Sequence, residues 1–329
     1  MGDDLADEAL LGFCDFGLMG ARAKSFIASD SRRHGITDDT RRTNSNMDQT
    51  IATSMIDNDP AGARDGGDAR LEQLVERVRH LPTLPDIYLK LQEEVRSADP
   101  DITRVASLME NDPAMTVKVL QLVNSPLMGL RYDVADVRQA AALIGLRRLT
   151  SLVLASGVFR PVSHLDERLI HQLWQDSLVV GGLSRLILVE EGHDARAVEE
   201  AQLAGLLHDI GEVVLFQNWR DDYMNIDHSR RDRDEIESFG ATHAAISGYL
   251  CSSWNLSDTV VDAARLHHAP SSQQSVDTVS VTTAVHVARA LVDAGMDADA
   301  AALDLEHLEE LDVVARVPGW ADLASEAGL

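Results

Sequence analysis

Cysteine is nearly absent: the 329 residues include two, Cys14 and Cys251. Set far apart and in different contexts, they speak against a disulfide framework or a thiolate zinc site and fit a reducing cytosol. Aromatic residues are scarce as well, at 4%, while Leu, Ala and Val fill the apolar positions. Strands favour aromatic and β-branched side chains, so this balance argues for packed helices. Basic residues are few. Lys and Arg total 29 against 54 Asp and Glu, a formal net charge of −25. A surface this acidic repels phosphate backbones and argues against a nucleic-acid partner. No apolar run approaches the roughly 20 residues of a membrane span. The Asp-rich start, with Asp15 interrupting Ala9–Met19, lacks the basic region and clean apolar stretch of a signal peptide. A cytoplasmic location is expected.

What is present begins at about residue 70. Residues 1–70 hold no sustained apolar period, and polar clusters such as Asp57-Asn58-Asp59-Pro60 read as a disordered or tethering segment. Met47 and Met55 offer alternative starts. From Leu71 a helical period runs with few interruptions. Leu81-Pro82-Thr83-Leu84-Pro85 breaks it, because proline disfavours helix in the residue before it. Asp101 and Asp112 read as N-caps, the second followed by Pro113 at the first helical position. Helices are expected over Ile87–Val95, Ile102–Met109, Ala114–Val123, Val137–Ile144, Leu146–Phe159, Leu169–Val189, Ala195–Leu207, Phe239–Trp254, from Ser257 to His267, and over Val276–Val292. No stretch shows the period-two alternation of a strand. The fold class is all-α, a multi-helix bundle. The acidic segment 294–329 reads as a solvated extension with one helix around Leu303–Leu311, or as a docking element for a partner.

One stretch dominates the chemistry. Leu203-Ala204-Gly205-Leu206-Leu207-His208-Asp209-Ile210-Gly211-Glu212 sets an imidazole and a carboxylate inside an apolar run. Burying both costs free energy unless each finds a partner. A metal ion would satisfy them, and so would an internal hydrogen-bond network.

Several motifs occur together in order: Leu81-Pro82-Thr83-Leu84-Pro85, Asp112-Pro113-Ala114-Met115, Leu120 to Pro126, Ala141 to Leu149, Gly205 to Gly211, and His267-His268-Ala269-Pro270. As a set, this resembles an HDOD domain, the bacterial regulatory relative of HD-type metal-dependent phosphohydrolases, over residues 71–293. The resemblance implies an all-α fold with an N-terminal lobe at about 71–160 and an HD-like lobe at 161–293. It also implies signal transduction through partner proteins of two-component or cyclic-di-GMP pathways. In HD hydrolases an early His, the His-Asp pair and a late Asp bind the metal. Here those positions fall at Asp176, His208 with Asp209, and Arg289.

Aspartate can still ligate, whereas arginine is permanently cationic and is no ligand. Glu212 stands where similar cyclic-dinucleotide hydrolases carry a phosphate-holding lysine, and no Gly-Tyr-Pro signature is present. The vestigial ligand set is then Asp176, His208, Asp209 and His286, with Arg289 as an internal substitute for the metal's charge. Its guanidinium is expected to pair with Asp209 or Asp176. His267 and His268 read either as second-metal ligands or as helix-end imidazoles, and His243 as structural or as a third such histidine. The chain therefore reads as a non-catalytic signalling module. The alternatives are a divalent-metal phosphohydrolase and a ligand sensor that keeps the old cleft. No cofactor is expected, with iron or manganese as the metals to test.

Overall fold

The computed structural model describes residues 70–329, apart from 72, 126, 127, 129, 131, 160–166, 228, 229 and 274–276. The expected tether therefore lies almost wholly outside the described residues. Among those described there is no strand; the all-α expectation holds.

A first group of helices is α1 (Asp86–Arg96), α2 (Ile102–Glu110), α3 (Pro113–Val123), α4 (Val137–Ile144) and α5 (Leu146–Val158). Their starts follow from the caps. Asp101 accepts from Thr103 N–H at 2.7 Å, Asp112 from Met115 N–H at 3.0 Å, and Asp136 from Gln139 N–H at 2.9 Å. Each satisfies an amide that the helix itself leaves free. Gly145 joins α4 to α5 at φ +83°, a backbone that other residues rarely adopt. Leu91, Met109, Met115, Val119, Leu149 and Leu152 are fully enclosed between these helices.

The second group carries the chemistry. It comprises α6 (Glu167–Glu190), α7 (Ala195–Leu207), α8 (Ile210–Asn218), the short α9 (Arg220–Tyr223), α10 (Arg231–Phe239), α11 (His243–Ser253), α12 (Asp258–Leu266) and α13 (Val281–Asp293). Helices α6, α7, α12 and α13 pack on one another, and α8 packs on α11. Two expected boundaries are corrected. Phe239 ends α10 instead of starting the next helix, because Gly240 turns left-handed at φ +95° and Thr242 caps α11. Helix α13 starts at Val281, since Ser280 and Thr283 form a reciprocal capping box there. The helix expected over Ala195–Leu207 is found with those bounds, and His208 and Asp209 sit at its joint with α8.

The acidic C-terminal segment is not a solvated helix. It forms α14 (Leu305–Glu310), a 3-10 turn and α15 (Val317–Ala327). Helix α15 packs on α6, and Leu308, Val313, Val317 and Trp320 are buried. The charges lie on the outward faces, while an apolar stripe holds the segment down. Trp320, 2% exposed, is more enclosed than Trp254 at 8%.

Candidate metal centre

Local packing brings Asp209 to the middle of four histidines. Gly211, in the first turn of α8, lies so close to α11 that a Cβ there would meet the His243 carbonyl oxygen at 2.0 Å. Its N–H also donates to Ser247 Oγ at 2.9 Å. Only glycine lets α8 approach the start of α11 this closely. His243 is thereby set beside the His208-Asp209 joint, and His267 and His268 arrive from the end of α12.

His208 Nδ1 lies 2.8 Å from the Gly205 carbonyl, and His267 Nδ1 lies 2.9 Å from that of Ala264. His243 Nδ1 lies 2.8 Å from Glu235 Oε2. A carbonyl or carboxylate can only accept, so each Nδ1 carries the proton and each neutral ring keeps its lone pair on Nε2. All three Nε2 atoms face one carboxylate. His208 Nε2 is 3.1 Å from Asp209 Oδ2, while His267 and His243 Nε2 are 3.3 and 3.5 Å from Oδ1. His268 Nε2 completes the group, 2.9 Å from His243 Nε2. A lone pair facing a carboxylate is repelled unless a proton or a cation lies between them. His208 Nε2, His267 Nε2 and Asp209 Oδ1 are all buried without a hydrogen bond. Such tied-back imidazoles are the usual supports of metal ligands. The donor sets His208, Asp209, His267 and His243, His267, His268 each fall within 4.8 Å. The residues present thus fit a divalent ion.

The protein's own cations also converge here. Arg289 Nε is 3.2 Å from Asp209 Oδ2, and its Nη1 is 3.1 Å from Asp293. Arg231 Nη1 is 2.6 Å from Glu212 Oε1 and its Nε is 3.7 Å from Glu235. Tyr223 donates its hydroxyl to Glu212 Oε2. Burial alone would raise the Asp209 carboxyl, but the Arg289 guanidinium holds it well below the usual carboxylate range. Glu212 likewise is lowered against its burial by Arg231. Burial pushes the His267 imidazole down to about 4. It lowers His268 too, with His267 and His243 adding to the effect. For His243, Glu235 overcomes burial and raises the imidazole.

Two expected ligands stay outside the donor sets found among the described residues. His286 has both ring nitrogens engaged: Nδ1 donates to the His267 carbonyl at 2.7 Å, and Nε2 accepts from Asp304 N–H at 2.8 Å. Asp176 stays out of these sets as well; burial raises its carboxyl, opposed first by Arg289. Glu212 does not face a substrate, since it is buried and bound by Arg231 and Tyr223. His243, His267 and His268 lie beside His208 and Asp209, and the two donor sets share His267. Glu235, Arg231 and Tyr223 were not singled out from the sequence, which gives no signal that Tyr223 and α10 come to lie against Glu212.

The HDOD domain matches residues 81–270 of the chain. An uncharacterized protein from Treponema pallidum (strain Nichols) is 28% identical over 202 residues, 59% of this chain and 39% of that protein. This chain therefore matches well under half the length of that relative. Two solved structures share the fold. A protein from Shewanella amazonensis SB2B, named "Putative phosphohydrolase", gives a TM-score of 0.60 at 22% identity, covering 79% of this chain and 96% of that one. An HDOD domain protein of unknown function from Geobacter sulfurreducens gives 0.57 at 20% identity, covering 80% and 99%. At these identities the likeness carries the fold alone.

Proposed function

We propose that this chain, which belongs to the HDOD domain family, is a non-catalytic signal-transduction module that acts through protein partners. The observation that carries this reading is a sealed centre into which the protein places its own cations. His208, Asp209, Glu212, His243 and His267 are at most 2% exposed, and Arg289 is 7% exposed. A phosphoester cannot reach a nucleophile held beneath these side chains. Around Asp209, four carboxylates (Asp209, Glu212, Glu235 and the half-exposed Asp293) share two guanidiniums (Arg231, Arg289). These fixed cations offset part of the buried negative charge without a metal.

A second reading, a metal-dependent phosphohydrolase, is favoured by the unpartnered Nε2 atoms and Asp209 Oδ1. His208, Asp209 and His267, with His243 and His268, would hold the ion. Bound there, a divalent metal would supply positive charge and, given an open coordination position, an activated water. Arg289 works against both, because it occupies Asp209 Oδ2 with a permanent cation.

The partners are signalling proteins, and the location is the cytoplasm. Among the described residues no single helix is long and apolar enough to cross a membrane. The test is a turnover assay. Protein loaded with Mn2+ or Fe2+ is incubated with bis-p-nitrophenyl phosphate, mononucleotides and cyclic dinucleotides. Product at the level of the His208→Ala variant supports the reading. Metal-dependent turnover that this variant loses refutes it.

A further inference from the structure

Away from the His/Asp centre, a cavity of about 620 Å³ opens between α1 and α5 on one side and α7 and α12 on the other. The size is that of a small-molecule site. Its chemistry runs against the rest of this acidic chain. Arg96 and Arg147 line it, and among the described residues neither has a carboxylate within ion-pair distance. Arg196 lines it too, paired with Glu200 at 3.2 Å. The one further lining carboxylate, Glu199, is raised by burial and stabilised by Arg147 and Arg148. Behind this wall Arg148 is a further cation, in the field of Glu199 but, among the described residues, with no carboxylate at contact distance. Its Nε is buried without a partner, and Nη2 reaches only Met128 Sδ at 3.3 Å.

Backbone donors point the same way. Ser257 lines the cavity at the N-cap of α12, yet its hydroxyl does not cap the helix. Free N–H groups at a helix start favour an anion. The remaining wall is suited to a ring. Val95, Leu203, Leu256 and Val260 supply apolar surface. The Tyr88 hydroxyl accepts from Gln92 Nε2 at 3.0 Å, which leaves its own proton to give.

From this we infer that the cleft between α1, α5, α7 and α12 binds a nucleoside 5′-phosphate, its phosphate on Arg96 and Arg147 and its base against Val95, Leu203 and Leu256. The site is separate from the His/Asp centre and does not depend on whether that centre turns over. Helix α7 links the two, with Leu203 lining the cavity and His208 following its last residue.

Isothermal titration of the full chain with AMP, GMP, CMP and UMP tests the inference. At least one nucleotide is expected to bind, its nucleoside about tenfold more weakly, a loss of about 1.4 kcal/mol. Arg96→Ala and Arg147→Ala, both at exposed side chains, should each weaken binding by a similar factor. Arg233→Ala, at an exposed pair with Glu237, should leave it unchanged. The inference is overturned if none of the four binds, if nucleoside and nucleotide bind alike, or if both arginine variants bind as wild type does.

Discussion

Arg289 Nε lies 3.2 Å from Asp209 Oδ2, at the place where a metal centre would leave the carboxylate for its ion. Both side chains are nearly enclosed, so the pair is worth far more intact than halved. Removing one partner of a buried ion pair typically costs about 3–5 kcal/mol. Arg289→Ala is expected to lose stability of that order in urea unfolding, and Arg289→Lys less. An unfolding midpoint equal to wild type would mean that Arg289 does not balance Asp209.

The approach of α8 to α11 is tested at Gly211. An added methyl would lie 2.0 Å from the His243 carbonyl oxygen, and overpacking of this kind costs about 1–3 kcal/mol. Gly211→Ala should unfold at lower denaturant. Unchanged stability would show that α8 can move away freely.

The C-terminal segment is tested at Trp320, buried in the layer where α15 meets α6. Truncation of a core tryptophan costs about 3–5 kcal/mol. Trp320→Ala should show that loss, or release residues 305–329 to rapid proteolysis. A variant as stable and as protease-resistant as wild type would contradict the packing described.

The pH dependence has two opposed parts. Burial holds His267 neutral down to about 4, while the unfolded chain protonates it below about 6.5. Its contribution is whole above 6.5 and is lost as pH falls towards 4, by roughly 3 kcal/mol at the low end. Asp209, lowered by Arg289 against its burial, acts in the same direction at lower pH: its contribution is present above about 3.9 and fades beneath it. His243 is raised by Glu235 against its burial. It contributes fully below about 6.5 and loses that as pH rises through its folded value. In metal-free buffer the melting temperature should fall from pH 6.5 to 4, with a shallower slope in His267→Gln. A flat profile over that range would remove the neutral-His267 assignment.

Much of the fold is legible in local chemistry. Asp101 and Asp112 act as caps where their types and spacing suggest, and apolar periodicity marks most helices. The boundaries missed at Phe239 and Val281 depend on Gly240 and on a Ser280–Thr283 box, weak signals inside apolar runs. The centre is legible only in part. His208 and Asp209 stand out because they are polar residues in an apolar stretch. Grouping His243, His267 and His268 with them requires α8, α11 and α12 to converge, a tertiary fact with no periodic trace. His286 is one helical turn from Arg289, and sequence alone does not show that Asp304 and the His267 carbonyl engage it.

The charge-substitution account is tested most directly by titrating Mn2+ into wild type and Arg289→Asp, both confirmed folded by circular dichroism. Replacing a fixed cation by a carboxylate beside Asp209 should raise Mn2+ affinity by about tenfold or more, or 1.4 kcal/mol. Equal or weaker binding by the folded variant would contradict it.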